Sequence, residues 1–148
     1  MNKYVALNQK LHRLDVLAGR YLSRNLAQRG LEDLDGRSGN IILYLDEHEG
    51  EELYQRDVEK EFGLSRATAS RALTLMDRHG LVVRGSVSHD TRLKKVTLTE
   101  KSREYANLMH QNAEVMVRHL LTGFTEEEID QFLGYIGRLE NNMKNAYA

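Results

Sequence analysis

Gln55-Arg56-Asp57-Val58-Glu59-Lys60-Glu61-Phe62 runs directly into Gly63-Leu64-Ser65, and then into Arg66-Ala67-Thr68-Ala69-Ser70-Arg71-Ala72-Leu73-Thr74-Leu75-Met76-Asp77-Arg78-His79-Gly80. Val58 and Phe62 stand four apart and share one face of a short helix. Gly63 ends that helix, as glycine commonly does just past a C-terminus. Ser65 is placed to cap the next one. The second helix is predicted from about Arg66 to His79, with Gly80 as its stop. A helix, a Gly-Leu-Ser turn and a second helix make a helix-turn-helix unit.

The second helix has two distinct faces. Ala69, Leu73 and Met76 recur at steps of four and three and form the inward stripe. At about 100° per residue, Ala67, Arg71, Thr74 and Arg78 fall opposite, with Ser70 at the edge and Arg66 in the first turn. This outward set is small, hydroxylated or cationic, and Arg66 to Thr74 holds no acidic residue. Arginine can bond guanine with two donors, hydroxyls can meet bases or phosphates, and small side chains let the backbone approach. The amides at Ser65 and Arg66 add a weak anion site. An ordinary solvated helix face is the competing reading, but such faces usually carry Glu and Lys.

Beyond Gly80 the texture changes to strand. Leu81-Val82-Val83-Arg84 and Lys94-Lys95-Val96-Thr97-Leu98 are predicted strands joined by a polar, turn-rich segment from Gly85 to Thr91. A hairpin in this position reads as a wing. Near its tip, Asp90-Thr91-Arg92 sets an acid two residues before a base, and Lys94 and Lys95 follow. An arginine on a thin hairpin can enter a narrow minor groove. Taken alone, a weak surface ion pair is the better account of Asp90 and Arg92, and beside the helix-turn-helix it loses to the groove reading.

On either side lie longer helical patterns. Tyr4, Leu7, Leu11, Leu14, Ala18, Tyr21 and Leu22 make an amphipathic helix over about Lys3–Leu26. Gly30, Gly36 and Gly39 mark a loop, and Ile41-Ile42-Leu43 with Leu45 form a short buried helix ending in Asp46-Glu47-His48-Glu49-Gly50. Thr99 and Glu100 open a helix to about Leu121. Thr125-Glu126-Glu127-Glu128 matches a capping box, and the last helix carries Ile129, Phe132, Leu133, Ile136, Leu139 and Met143. The expected fold is mainly α (α+β), a single domain over 1–148. Residues 37–101 form a winged helix-turn-helix lobe, 100–121 a connecting helix, and 1–36 and 122–148 helices for dimerisation.

Composition narrows the function classes. The chain has 148 residues, 41% hydrophobic and 29% charged, with net charge −1. The segment Leu64–Lys95 holds seven basic residues against two acidic ones, while the remainder holds 14 against 20. A basic island in an otherwise acidic protein suggests a local polyanion site. No apolar run approaches a membrane span, and no signal peptide is evident, so a cytoplasmic protein without a membrane partner is expected. There is no cysteine, which excludes disulfides and thiolate metal sites. No phosphate-binding glycine loop, Gly-x-Ser-x-Gly elbow or zinc-protease motif appears, so neither an enzyme nor a cofactor is expected.

The chain resembles the MarR family of bacterial winged-helix regulators. The resemblance is carried by Gln55-Arg56-Asp57-Val58, Gly63 to Leu73, Gly80-Leu81-Val82, Asp90-Thr91-Arg92-Leu93-Lys94 and Val96-Thr97-Leu98-Thr99-Glu100-Lys101. It implies a homodimer with intertwined chain ends that binds double-stranded DNA, as a repressor on a pseudo-palindromic operator. Half-sites would lie about one helical turn apart. The DNA-binding residues it points to are Ser65, Arg66, Ala67, Thr68, Ser70, Arg71, Thr74 and Arg78 in the major groove, with Arg92 and Lys94 on the wing and Asp90 positioning it. It also implies release by a small aromatic effector. Tyr54 stands where the family often has a Ser or Thr cap. Arg37-Ser38-Gly39-Asn40 lacks the usual threonine and glutamine, which puts the effector's identity in doubt.

Two other readings keep the fold and change the partner. A metal-responsive regulator would draw on Asp46, Glu47, His48 and Glu49 with another helix. His110 and His119, nine apart, fall on nearly opposite faces and make no site by themselves. The other reading is a winged helix that binds only protein.

Overall fold

The computed structural model describes residues 2–28 and 36–147. The chain divides into two compact units, Met1–Ala113 and Glu114–Ala148. In the first lie α1 (Lys3–Gln28), α2 (Gly36–Glu47), α3 (Gln55–Phe62), α4 (Arg66–Arg78), β1 (Val82–Val87) and β2 (Asp90–Leu98). Helix α5 (Glu100–Leu120) begins in the first unit and ends in the second, which also holds α6 (Glu126–Ala146).

Local chemistry sets the helix ends around the turn. Gly63 adopts φ 60°, a left-handed conformation that costs a residue without Cβ nothing. Its amide and that of Leu64 both reach Glu59 O, closing the end of α3. Ser65 Oγ accepts from the Thr68 amide at 3.1 Å and starts α4. Gly80, at φ 70°, ends the next turn in the same way, and Leu81 N–H returns to Met76 O at 2.9 Å. At the head of α3 the Tyr54 side chain makes no cap. Instead the Tyr54 amide donates to Asp57 Oδ2 at 2.8 Å, which is the acidic half of a capping box.

One hydrophobic core joins these elements. Ile41, Ile42 and Leu45 of α2 meet Val58 of α3, Leu73 and Met76 of α4, Val82 and Val96 of the hairpin, and Ala106 and Met109 of α5. Ala69, Leu73 and Met76 are all buried, so the expected inward stripe of α4 is the packed one. The expected loop over Gly36 and Gly39 is a helix instead: both glycines lie in α2 and Gly39 is buried. Burial of the Ile41–Leu45 face outweighs the weak helix propensity of glycine and the polar residues around it. Gly30 lies outside the described residues.

The hairpin is longer than its apolar runs suggest. β1 extends to Val87 and β2 starts at Asp90, so only Ser88 and His89 form the turn. The strands are antiparallel, with Arg84 opposite Val96 and Ser86 opposite Lys94, and the register shifts between Ser86 and Val87. Val96 N–H also donates to Leu53 O at 2.8 Å, tying the α2–α3 connection to the wing. At the root, Thr99 Oγ1 donates to Gly80 O at 2.6 Å and the buried Ser102 hydroxyl donates to Leu81 O. The first turn of α5 thereby grips the end of α4.

The two terminal helices expose apolar stripes. On α1, Tyr4, Leu7, Leu11 and Leu14 are exposed, and on α6 Phe132, Leu133, Leu139 and Met143 are exposed. The expected capping box opens α6: Thr125 N–H donates to Glu128 Oε2 at 2.8 Å, and Glu128 N–H to Thr125 Oγ1 at 3.2 Å. No helix among the described residues is long and apolar enough to cross a membrane.

Candidate nucleic-acid interface

Helix α4 and the wing present their cations on adjoining surfaces. Ser65, Arg66, Ala67, Arg71 and Arg78 are exposed, while Thr68, Ser70 and Thr74 are half-buried. A cleft of about 380 Å³ brings Arg66 and Ser70 of α4 together with Lys94, Arg84 and Ser86 of the hairpin. A second cleft, of about 220 Å³, joins Arg66 to Arg92, Lys94, Tyr54 and Arg56. Ala67, Thr68, Arg71, Thr74 and Arg78 line neither cleft and occupy the helix surface beside them.

The wing tip is preorganised by its own acid. Asp90 Oδ1 accepts from the Arg92 amide at 2.9 Å and from Arg92 Nε at 3.2 Å. Those bonds hold the Asp90 carboxyl below its ordinary pKa. Arg92 itself remains 87% exposed, so its guanidinium is aimed without being covered. Lys94 Nζ donates to Ser86 Oγ at 3.1 Å across the hairpin. Lys95, on the other face, pairs with Glu52 at 3.3 Å. That pairing removes Lys95 from the basic cluster.

Thr74 is placed differently from the rest of the outward set. Its Oγ1 donates to Ser70 O at 2.7 Å and accepts from Arg84 Nη2 at 2.9 Å. Periodicity puts Thr74 on the outer face, and it gives no sign of the β1 arginine that covers it. Arg84, Arg56 and Ser86 also belong to the clefts and were not singled out from the sequence. Arg84 is signalled only by the basic island and Arg56 only by the matching stretches, and Ser86 by neither. Asp46 Oδ2 lies 3.1 Å from His110 Nε2, but among the described residues no three histidines or carboxylates gather as a metal set.

The model of the MarR family matches residues 30–93, which contain α2, α3, α4 and the start of the wing. An uncharacterized HTH-type transcriptional regulator of Bacillus subtilis (strain 168), YdgJ, is 26% identical over 101 residues, 68% of this chain. The match spans 62% of that relative's length. The heme sensor protein PefR from Streptococcus agalactiae, solved in complex with heme, is 27% identical with a TM-score of 0.65 over 91% of this chain and 92% of PefR. Streptococcus pneumoniae FabT, solved in complex with DNA, shares the fold at 21% identity, with a TM-score of 0.78 over 97% of this chain and 99% of FabT. With the helix-turn-helix, the Asp90–Arg92 wing and these likenesses together, the chain is similar to members of the MarR family over the winged helix-turn-helix lobe.

Proposed function

We propose that the protein is a cytoplasmic transcription regulator that binds double-stranded DNA sequence-specifically as a homodimer. The observation that carries this reading is the exposed Arg66–Arg71–Arg78 surface of α4 beside the clefts that Arg66 shares with Arg92 and Lys94. A helix of this kind fits a major groove, and a wing arginine fits the adjacent minor groove. The site comprises Ser65, Arg66, Ala67, Thr68, Ser70, Arg71 and Arg78 on α4, with Arg92 and Lys94 on the wing and Asp90 orienting Arg92. Residues 37–101 serve as the DNA-binding lobe and 100–121 connect it to the dimerisation helices at 1–36 and 122–148.

The exposed apolar stripe along each of α1 and α6 supports the dimer, because large apolar side chains open along one helix face suit an interface. Repression, by occupation of an operator, is the mode we assign. The likeness to PefR supports a response to a small aromatic effector, since that relative is solved with heme bound.

Selection of bound DNA from a random pool tests the proposal. A two-fold symmetric consensus with half-sites about one turn apart is the expected result. Absence of any enrichment overturns it. Binding should also weaken steeply with salt, with a log–log slope of about −0.9 per phosphate neutralised. A salt-independent protein would instead be a winged helix that binds protein alone.

A further inference from the structure

Arg84 is the one polar side chain in the described structure with a buried nitrogen lacking a hydrogen-bond partner. It stands on β1 opposite Val96, with its side chain 21% exposed. Nη2 donates to Thr74 Oγ1 at 2.9 Å, across ten residues of chain. Nε is 3.9 Å from Asp77 Oδ2, too far for a hydrogen bond. Thr74 in turn spends its single hydroxyl proton on Ser70 O at 2.7 Å. With its proton committed and a lone pair occupied, this hydroxyl has nothing left to donate to a base.

A covered guanidinium with an unsatisfied Nε is a poor way to stabilise a fold. Its nearest carboxylate, Asp77, is about half exposed, so an apolar side chain in place of Arg84 leaves no buried charge unpaired. What the arginine does achieve is geometric, because it is a direct side-chain hydrogen bond between α4 and the wing. It lines the same cleft as Arg66, Ser70 and Lys94.

We propose that Arg84 and Thr74 form a strut that fixes the wing relative to the recognition helix, and so sets the span between the bases read by α4 and the groove entered by Arg92. Arg84 is thus a positioning residue, and Thr74 is its anchor rather than a reader of bases. The inference rests on the DNA-binding reading above, so wild-type binding to the selected operator is measured first. If the wild-type protein enriches no DNA, that reading fails. The strut is judged on its variants.

The experiment compares Arg84→Met, Thr74→Val, Thr74→Ser, Arg92→Ala and the double variant Arg84→Met/Arg92→Ala in operator affinity, salt slope and thermal midpoint. Arg84→Met should melt at or above the wild-type temperature yet bind about tenfold more weakly, the size expected for one hydrogen bond to a charged group. Its selected consensus should keep the bases under α4 and lose preference at the flanks the wing reaches. The double variant should bind no more weakly than Arg92→Ala, because a misplaced wing and a wing without its arginine lose the same contact. Multiplicative losses, with a further fall of about 0.9 in slope, would mean that Arg84 holds a phosphate itself, and overturn the strut. Wild-type affinity in Arg84→Met would overturn it as well. If Arg84→Met does not fold, the Thr74 pair decides. Thr74→Ser keeps the acceptor and should stay within about twofold of wild type, while Thr74→Val should fall about tenfold. Equal binding by the two, or a changed base under α4 in Thr74→Val, refutes the proposal.

Discussion

Ser65 and Thr68 lock each other at the start of α4: Ser65 Oγ accepts from the Thr68 amide at 3.1 Å and donates to Thr68 Oγ1 at 2.9 Å. The Ser65 hydroxyl is consumed by the cap, whereas Thr68 keeps its own hydroxyl proton to offer outward. Ser65→Ala should therefore destabilise the protein by about 1 kcal/mol in chemical denaturation. Ser65→Asp separates the cap from the DNA. Aspartate caps as well as serine and suits the helix dipole, so stability should hold. Its charge would face phosphates, and affinity should fall at least about tenfold. A Ser65→Asp protein that binds operator like wild type would remove the start of α4 from the interface.

Arg71 and Arg92 are both exposed and should fail in different ways. Arg71 lies on the exposed surface of α4 that we propose faces the major groove, so Arg71→Ala should cost about 1–3 kcal/mol at one base position and relax preference there. Arg92→Ala should weaken binding to operator and non-operator DNA alike, and reduce the salt slope by about 0.9. Competition binding against single-base operator variants distinguishes them. Identical losses on every sequence for both variants would contradict this division of labour.

The Asp90 carboxyl gives the wing a defined response to acid. Its pKa is lowered first by the Arg92 side chain and then by the Arg92 amide. A group depressed in the folded state stabilises above its unfolded pKa, and that contribution is lost as pH falls through the folded value. The unfolded reference is about 3.9. Wing order should therefore be flat across neutral and mildly acidic pH and decline only below about pH 4. An NMR titration of the Asp90 carboxyl carbon and the Arg92 amide should show one shared transition, absent in Asp90→Asn. A midpoint at or above the ordinary aspartate value would refute the contact.

How far these features could be read from the residues depends on the range of the interaction that makes them. Gly63, Ser65 and Gly80 act on their own turns, so α3 and α4 are legible nearly to the residue. The Ala69–Leu73–Met76 stripe is periodic, and its burial follows from spacing alone. Gly39 was misleading because its place in α2 depends on the core that packs against Ile41 and Ile42. The full length of the hairpin was hidden because Gly85, Ser86 and Asp90 gain strand geometry from pairing across the sheet and have little propensity of their own. Thr74 is the sharpest case. Its position on the helix wheel is right, yet a strand ten residues later takes its hydroxyl. The Asp90–Arg92 contact spans two residues and is legible from their spacing.

The apolar stripe of α6 leads to a prediction about assembly. Leu133 is 63% exposed, with Phe132, Leu139 and Met143 also open on the same helix. Leu133 itself has little packing within the chain to lose, so changing it should leave the fold of the winged lobe intact. In a homodimer the same position would be covered, and Leu133→Glu would bury an unpaired charge. That should cost about 3 kcal/mol or more and raise the dimer Kd more than about a hundredfold. Sedimentation equilibrium reads this directly, while far-UV circular dichroism checks that helix content persists. DNA binding should then fall because one lobe engages only one half-site, and a palindromic operator should lose its advantage over an isolated half-site. A Leu133→Glu protein that remains dimeric at low micromolar concentration would place the interface elsewhere, and a monomeric wild-type protein would remove the need for one.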